Sequence, residues 1–157
     1  MFAQRYYDTI LEPLLMKYRS TPNDDDLAYA LAALLEQVVD HIRIDTGRSL
    51  NDIRKSLQNR YTDFIYLRTV AISTKNVFTD NIPGLNVQTR DLVELEVGPR
   101  TAIQADGSVQ QKADSQTLIV TGQRRMFRFK DGKEIPVADL LEESFRAITD
   151  EINSVEQ

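Results

Sequence analysis

Arg68, Lys75 and Asn76 fall within one stretch, YTDFIYLRTVAISTKNVFT, that spans residues 61–79. A helix brings residues three, four, seven and eight apart onto a common side. The stripe Arg68, Ile72, Lys75, Asn76 and Thr79 therefore aligns two cations and an amide. Such a trio could act on a common ligand. The neighbouring flank, Phe64, Leu67, Val70, Ala71, Thr74, Val77 and Phe78, is apolar and predicts burial. A plainer role for Arg68 is an ion pair with Glu36 or Asp40 on an adjacent helix.

A second basic stretch, RRMFRFKDGK, runs from Arg124 to Lys133. Strand alternation puts Arg124, Arg128 and Lys130 on one face with Met126, and Arg125, Phe127 and Phe129 on the other. Arg124, Arg128 and Lys130 are the nucleic-acid-binding candidates, since cations interleaved with aromatics can hold phosphates and stack bases. The same alternation fits phenylalanines packed inward while the cations remain in water.

Other chemistry is sparse. With no cysteine and the single histidine His41, thiolate and multi-histidine metal sites are excluded, and no metal or other cofactor is expected. His41 reads as a half-buried residue near a helix end, with Asp40 and Asp45 close by. Asp24, Asp25 and Asp26 read as charge compensation at a helix start rather than a cation site. Ser49, Ser56 and Ser73 lack a nucleophile elbow, and no phosphate-binding glycine loop occurs. The 157 residues carry 19 cations and 24 anions, a net charge of −5, which generally disfavours the nucleic-acid backbone. No run of eighteen apolar residues occurs, so no membrane span is expected. The N-terminal residues lack secretion-signal character, and the absence of cysteine fits a reducing cytoplasm.

The pair LAYALAALLEQVVDHI and YLRTVAISTKNVF resembles the two core helices of the HEPN-like family. The family pattern, roughly LR-x-x-x-N-x-KH, is matched by Leu67 and Arg68, by Ile72 or Ser73 at the internal polar slot, and by Lys75 and Asn76. The resemblance covers about residues 22–80 and, more loosely, the last helix. It implies a helical bundle that dimerises, in a bacterial defence or toxin–antitoxin setting. Active members cleave RNA without metal, using an arginine and a histidine contributed by both protomers. Here Asn76 occupies the histidine position, and an amide cannot carry a proton. The resemblance therefore implies a non-catalytic protein that binds RNA or a protein partner. A metal-independent RNA-cleaving enzyme and a purely structural interaction module are the alternatives.

Helical periodicity predicts helices at about 2–19, 22–46, 49–59, 61–79 and 137–155. In the first, Phe2, Tyr6, Ile10, Leu14 and Tyr18 form the expected stripe, and Pro13 should kink or restart the helix. Thr21 is the expected cap of the second, with Pro22 in its first turn, and Gly47 its stop. Ser49 caps the third, and Asn81, Pro83 and Gly84 end the fourth. Strands are expected at 92–97, 101–105 and 117–121, with turns at Gly98-Pro99, Gly122-Gln123 and Asp131-Gly132 and a mobile connection at 106–116. The expected fold is α+β: one domain over residues 1–157, with four or five helices and an antiparallel β-meander at about 87–135 before the C-terminal helix.

Overall fold

The computed structural model describes the backbone of residues 1–76, 88–103 and 109–155, and the side chains of residues 1–73 and 125–155. The fold is α+β, a helical bundle with an antiparallel β-meander inserted before the last helix. The elements are α1 (Phe2–Tyr6), a π-helical turn (Tyr7–Leu11), α2 (Glu12–Ser20), α3 (Asp25–Thr46), α4 (Leu50–Arg60), α5 (Phe64–Asn76), β1 (Gln88–Ile103), β2 (Val109–Arg128), β3 (Glu134–Pro136) and α6 (Val137–Val155). Among the described residues no helix is long and apolar enough to cross a membrane.

α1, the π turn and α2 form one unbroken arm. Pro13 has no amide hydrogen and its ring crowds the preceding turn. The helix answers by widening just ahead of it: the Glu12 N–H donates to the Tyr7 carbonyl, five residues back. A fresh α-helix then starts with Pro13 in its first turn, where the missing donor costs least. The widening also corrects the expected stripe. Ala3, Leu11, Leu15 and Tyr18 are buried, whereas Phe2 and Ile10 are exposed. Four-residue spacing drifts around a regular helix of about 3.6 residues per turn. The wider π turn cancels part of that drift and keeps Ala3 and Leu11 on the core side.

The arm is anchored from a distance. Asp45, near the end of α3, accepts the Phe2 and Ala3 N–H groups at 3.0 and 2.8 Å. These first-turn amides have no partner within their own helix, and a carboxylate also suits the positive helix end.

α3 is the central helix, packed by the arm, α4, α5 and α6. Its buried set, Leu27, Ala28, Leu31, Ala32, Leu35, Val38, Val39 and Ile42, covers more than one stripe. Ala28 and Ala32 keep part of that surface low, so neighbours approach closely. Its start differs from expectation. Asp24 is the cap, accepting the Leu27 N–H at 3.0 Å. The Thr21 hydroxyl donates back to the Lys17 carbonyl at 3.0 Å. A backbone turn from Asp24 N–H to the Thr21 carbonyl consumes residues 21–24, so α3 starts at Asp25 rather than near 22. Gly47 ends α3 with φ +68°, a left-handed conformation that favours glycine.

Ser49 caps α4 by accepting the Asp52 N–H at 3.1 Å, and its own hydroxyl donates to the Asp52 carboxylate at 2.7 Å. α5 buries Phe64, Leu67, Val70 and Ala71 against α3. α6 buries Val137, Leu140, Leu141, Ile148 and Ile152, with Phe145 partly buried at the core edge.

The sheet has order β1-β2-β3, antiparallel throughout. Its strands are longer than the turn residues suggest. Gly98-Pro99 is no turn; it lies inside β1 at a register shift between Pro99 and Arg100. Proline cannot donate to a ladder, and a bulge accommodates it. Gly122-Gln123 likewise lies inside β2, beside the shift at Glu94/Leu95. Within the expected mobile connection at 106–116, residues 109–116 belong to β2, and 109–112 and 116 pair with β1. Asp131-Gly132 does make the β2–β3 turn: Gly132 has φ +86°, its N–H donates to the Phe129 carbonyl at 3.0 Å, and the Asp131 carboxylate accepts the Lys133 N–H at 2.9 Å. The expected stop at Asn81, Pro83 and Gly84, and the helix residues beyond Asn76, lie outside the described residues.

The corrected cap is testable. Asp24→Ala should lower unfolding stability by about 1 kcal/mol, while Thr21→Ala should change it by only a few tenths. Urea denaturation of the two variants separates them, and equal losses would reject Asp24 as the cap.

Candidate functional site

α4 stands between α3 and α6 and sends arginines to both. Arg54 reaches the buried Glu36 of α3, with Nη2 and Nε at 2.6 and 3.2 Å from the same carboxylate oxygen, Oε1. Glu36 is only 8% exposed, and its Oε2 has no hydrogen-bond partner among the described residues. With α5 alongside α3, this pair lies at an open depression of about 120 Å³. Glu36, Arg54, Gln58, Phe64, Ile65 and Arg68 line it.

Arg68 lies exposed at this depression. Among the described residues it has no ion-pair or hydrogen-bond partner. The ion pair with Glu36 that the sequence allows is therefore made by Arg54 instead. The reason is geometric: Arg54 approaches Glu36 from the first turns of α4 and occupies the accessible carboxylate oxygen. Two guanidiniums against one carboxylate leave the depression with one surplus positive charge. Ile65, 55% exposed, adds an apolar wall beside it.

Lys75 and Asn76 continue α5 in the backbone, but their side chains lie outside the described residues, as does that of Arg124. Arg128 and Lys130 are exposed, and Arg128 lies 3.8 Å from Glu134. Neither lines the depression with Arg68. The aromatics between them are spent on the core. Phe127 and Phe129 are buried, with ring centroids 5.4 Å from Tyr29 and 4.6 Å from Tyr66 respectively. Met126 is buried too, so the face it was expected to share with exposed cations is not uniformly solvent-facing. Arg125 pairs with Asp25 at the start of α3, its Nε donating at 2.9 Å. Asp24 and Asp25 thus have structural roles, one as a cap and one as an ion-pair partner.

Proton-transfer chemistry is poorly served. His41 stacks at 4.5 Å on Tyr6 and does not line the depression. Asp45, its sequence neighbour, holds the α1 amides. Tyr18 and Tyr61 are pushed up to about 12, first by burial and then by nearby carboxylates, so neither exchanges protons near neutral pH. Among the described residues no cluster of three or more histidine, aspartate or glutamate side chains is placed to hold a metal ion.

A second polar cluster, absent from the sequence reading, lies where α4 meets α6. Glu151 is 1% exposed. It accepts the Ser56 hydroxyl at 2.7 Å and Arg60 Nε at 3.0 Å on Oε2, and Arg48 Nη1 on Oε1. Burial pulls its carboxyl upward, but the hydrogen bonds from Ser56, Arg48 and Arg60 outweigh that and hold it below the ordinary glutamate value. A signal for it existed: Glu151 falls on the apolar face of α6, between Ile148 and Ile152. Glu36 similarly interrupts the apolar face of α3 beside Leu35. A charged residue inside a core stripe demands a partner.

Comparison with models of protein families, with curated proteins and with solved structures finds no match to this chain.

The depressed carboxyl of Glu151 sets a pH dependence. Its contribution to stability is fully present above the ordinary value of 4.5 and is lost as pH falls through the lower folded value. Glu151→Gln should flatten that part of the acid-unfolding curve. It should also cost about 2 kcal/mol at neutral pH, less than for a wholly buried pair because both arginines are partly solvated. Circular dichroism against pH for both proteins checks this, and superimposable curves would remove Glu151 as the linkage group.

Proposed function

We propose that this chain is a non-catalytic binding protein of the HEPN-like type, and that the depression beside Arg68 receives a segment of a protein partner. The supporting observation is Arg68 itself: an exposed guanidinium, without a partner among the described residues, at a depression that already contains a charge-neutral Arg54–Glu36 pair. A single surplus charge beside exposed Ile65 and buried Phe64 matches an acidic side chain next to an aliphatic one. Arginine at a partly apolar, concave spot is a common anchor in protein interfaces.

RNA is less well matched. The chain carries a net charge of −5, and Phe127 and Phe129 are unavailable for base stacking. RNA cleavage is less well matched still, because no histidine lines the depression and Asn76 stands where the family has histidine. Dimerisation belongs to the same reading, since the family uses two protomers.

Selection from a peptide library, followed by calorimetry, tests the assignment. Peptides that pair an acidic with an aliphatic residue should be enriched, and Arg68→Ala should weaken them about tenfold or more, as loss of a charged anchor does. Unchanged affinity would reject the site. A single-stranded RNA pool in the same assay provides the contrast: tight, salt-sensitive binding weakened by Arg68→Ala would favour RNA instead. RNA cleavage abolished by Arg68→Ala would overturn the non-catalytic reading.

A further inference from the structure

α4 presents a second basic feature, apart from the Arg68 depression. Arg48, in the α3–α4 connection, and Arg60, at the end of α4, attach to the two oxygens of one carboxylate, Glu151. Their guanidiniums are therefore neighbours. Glu151 is 1% exposed, whereas the Arg48 and Arg60 side chains are 36% and 35% exposed. The carboxylate is inside and the cations reach the surface.

The charges do not cancel. Arg19–Glu142, Lys133–Asp63 and Arg146–Glu143 each set one cation against one acid. At Glu151 two cations share one acid, which leaves one positive charge in a protein that is acidic overall. Each guanidinium has five N–H donors. Glu151 takes one from Arg48, through Nη1, and one from Arg60, through Nε. Among the described residues neither arginine has a further acceptor.

The buried acid also fixes the poses of both arginines. Free surface arginines lose side-chain entropy when they close on a ligand. These two have already lost much of it in folding, held at their guanidinium groups by Glu151, with Ser56 bracing the same carboxylate. We propose that Arg48 and Arg60 form a phosphate-binding clamp, pre-oriented by Glu151. A phosphate group carries more oxygens and more charge than a carboxylate, so it can engage the remaining N–H groups of both guanidiniums while Glu151 keeps one from each. The phosphate group can come from a free phosphate or mononucleotide, or from the backbone of a single-stranded nucleic acid.

The test is titration of the ¹⁵N-labelled wild-type chain with inorganic phosphate, then uridine monophosphate, then a short oligouridylate. Saturable amide shifts should concentrate at Arg48–Ser56, at Arg60 and around Glu151. Arg48→Gln should weaken phosphate binding about tenfold, the scale of a lost charge-assisted contact. Arg19→Gln removes the same charge at a distant one-to-one pair and should leave binding unchanged. If Arg48→Gln does not fold, Arg48→Lys, which retains the charge without the fork, should still weaken binding. Similar affinities for all three probes would identify the phosphate group alone as the ligand. Much tighter oligouridylate binding at the same amides would identify the nucleic-acid backbone. Three results would each overturn the proposal: no saturable shift, shifts scattered over the surface as for an adventitious ion only, or equal weakening by Arg19→Gln.

Discussion

Two glutamates that the fold buries, Glu36 on α3 and Glu151 on α6, oblige α4 to bring arginines to both. A carboxylate removed from water without a partner costs several kcal/mol, so neither position is tolerable in the bundle unless α4 docks where it does. Arg54 meets one acid, and Arg60, with Ser56 and the preceding Arg48, meets the other. Only Ile53 and Leu57 of α4 are buried apolar residues. Its place is set by ionic geometry on a small apolar footing, and this gives the helix orientation as well as adhesion.

The surface chemistry follows from that arrangement. Because Arg54 takes Oε1 of Glu36, Arg68 is left at the surface of α5 beside an open depression. Because Glu151 needs more than one donor to remain ionised in a buried setting, two guanidiniums reach the surface together. In both cases a structural carboxylate lies beside more cations than the other described residues neutralise. An acidic protein thereby displays localised positive charge, suited to an acidic side chain or a phosphate group.

Among the described side chains, those at the β2–β3 end join the meander to the bundle. β3 pairs only with Met126 to Arg128, and Phe127, Phe129 and Ile135 enter the core there. Tyr66 of α5 donates to Asp131 at 2.7 Å and Lys133 lies 3.3 Å from Asp63, so the β2–β3 turn is tied to the start of the helix that carries Arg68. That tie uses the aromatics and several charges that, read as a linear string, resemble a nucleic-acid surface.

The helices, the C-cap at Gly47, the N-cap at Ser49 and the Asp131-Gly132 turn were legible in the residues, because each depends on neighbours within a turn or two. Local chemistry misled where a distant partner intervened. Thr21 and Asp24 are both competent caps, and the backbone turn between them chose Asp24. Gly98-Pro99 and Gly122-Gln123 have turn composition, yet antiparallel pairing across the ladder absorbed them as irregularities. Pro13 signalled a disturbance, but which residues of the arm face inward depended on how the helix widened against α3. By itself the sequence determined the main helices and the place of Arg68 on an amphipathic one. Only the tertiary structure decided which acid meets which arginine, since ion pairing and burial join residues as remote as Arg48 and Glu151, and no periodicity along the chain encodes that distance.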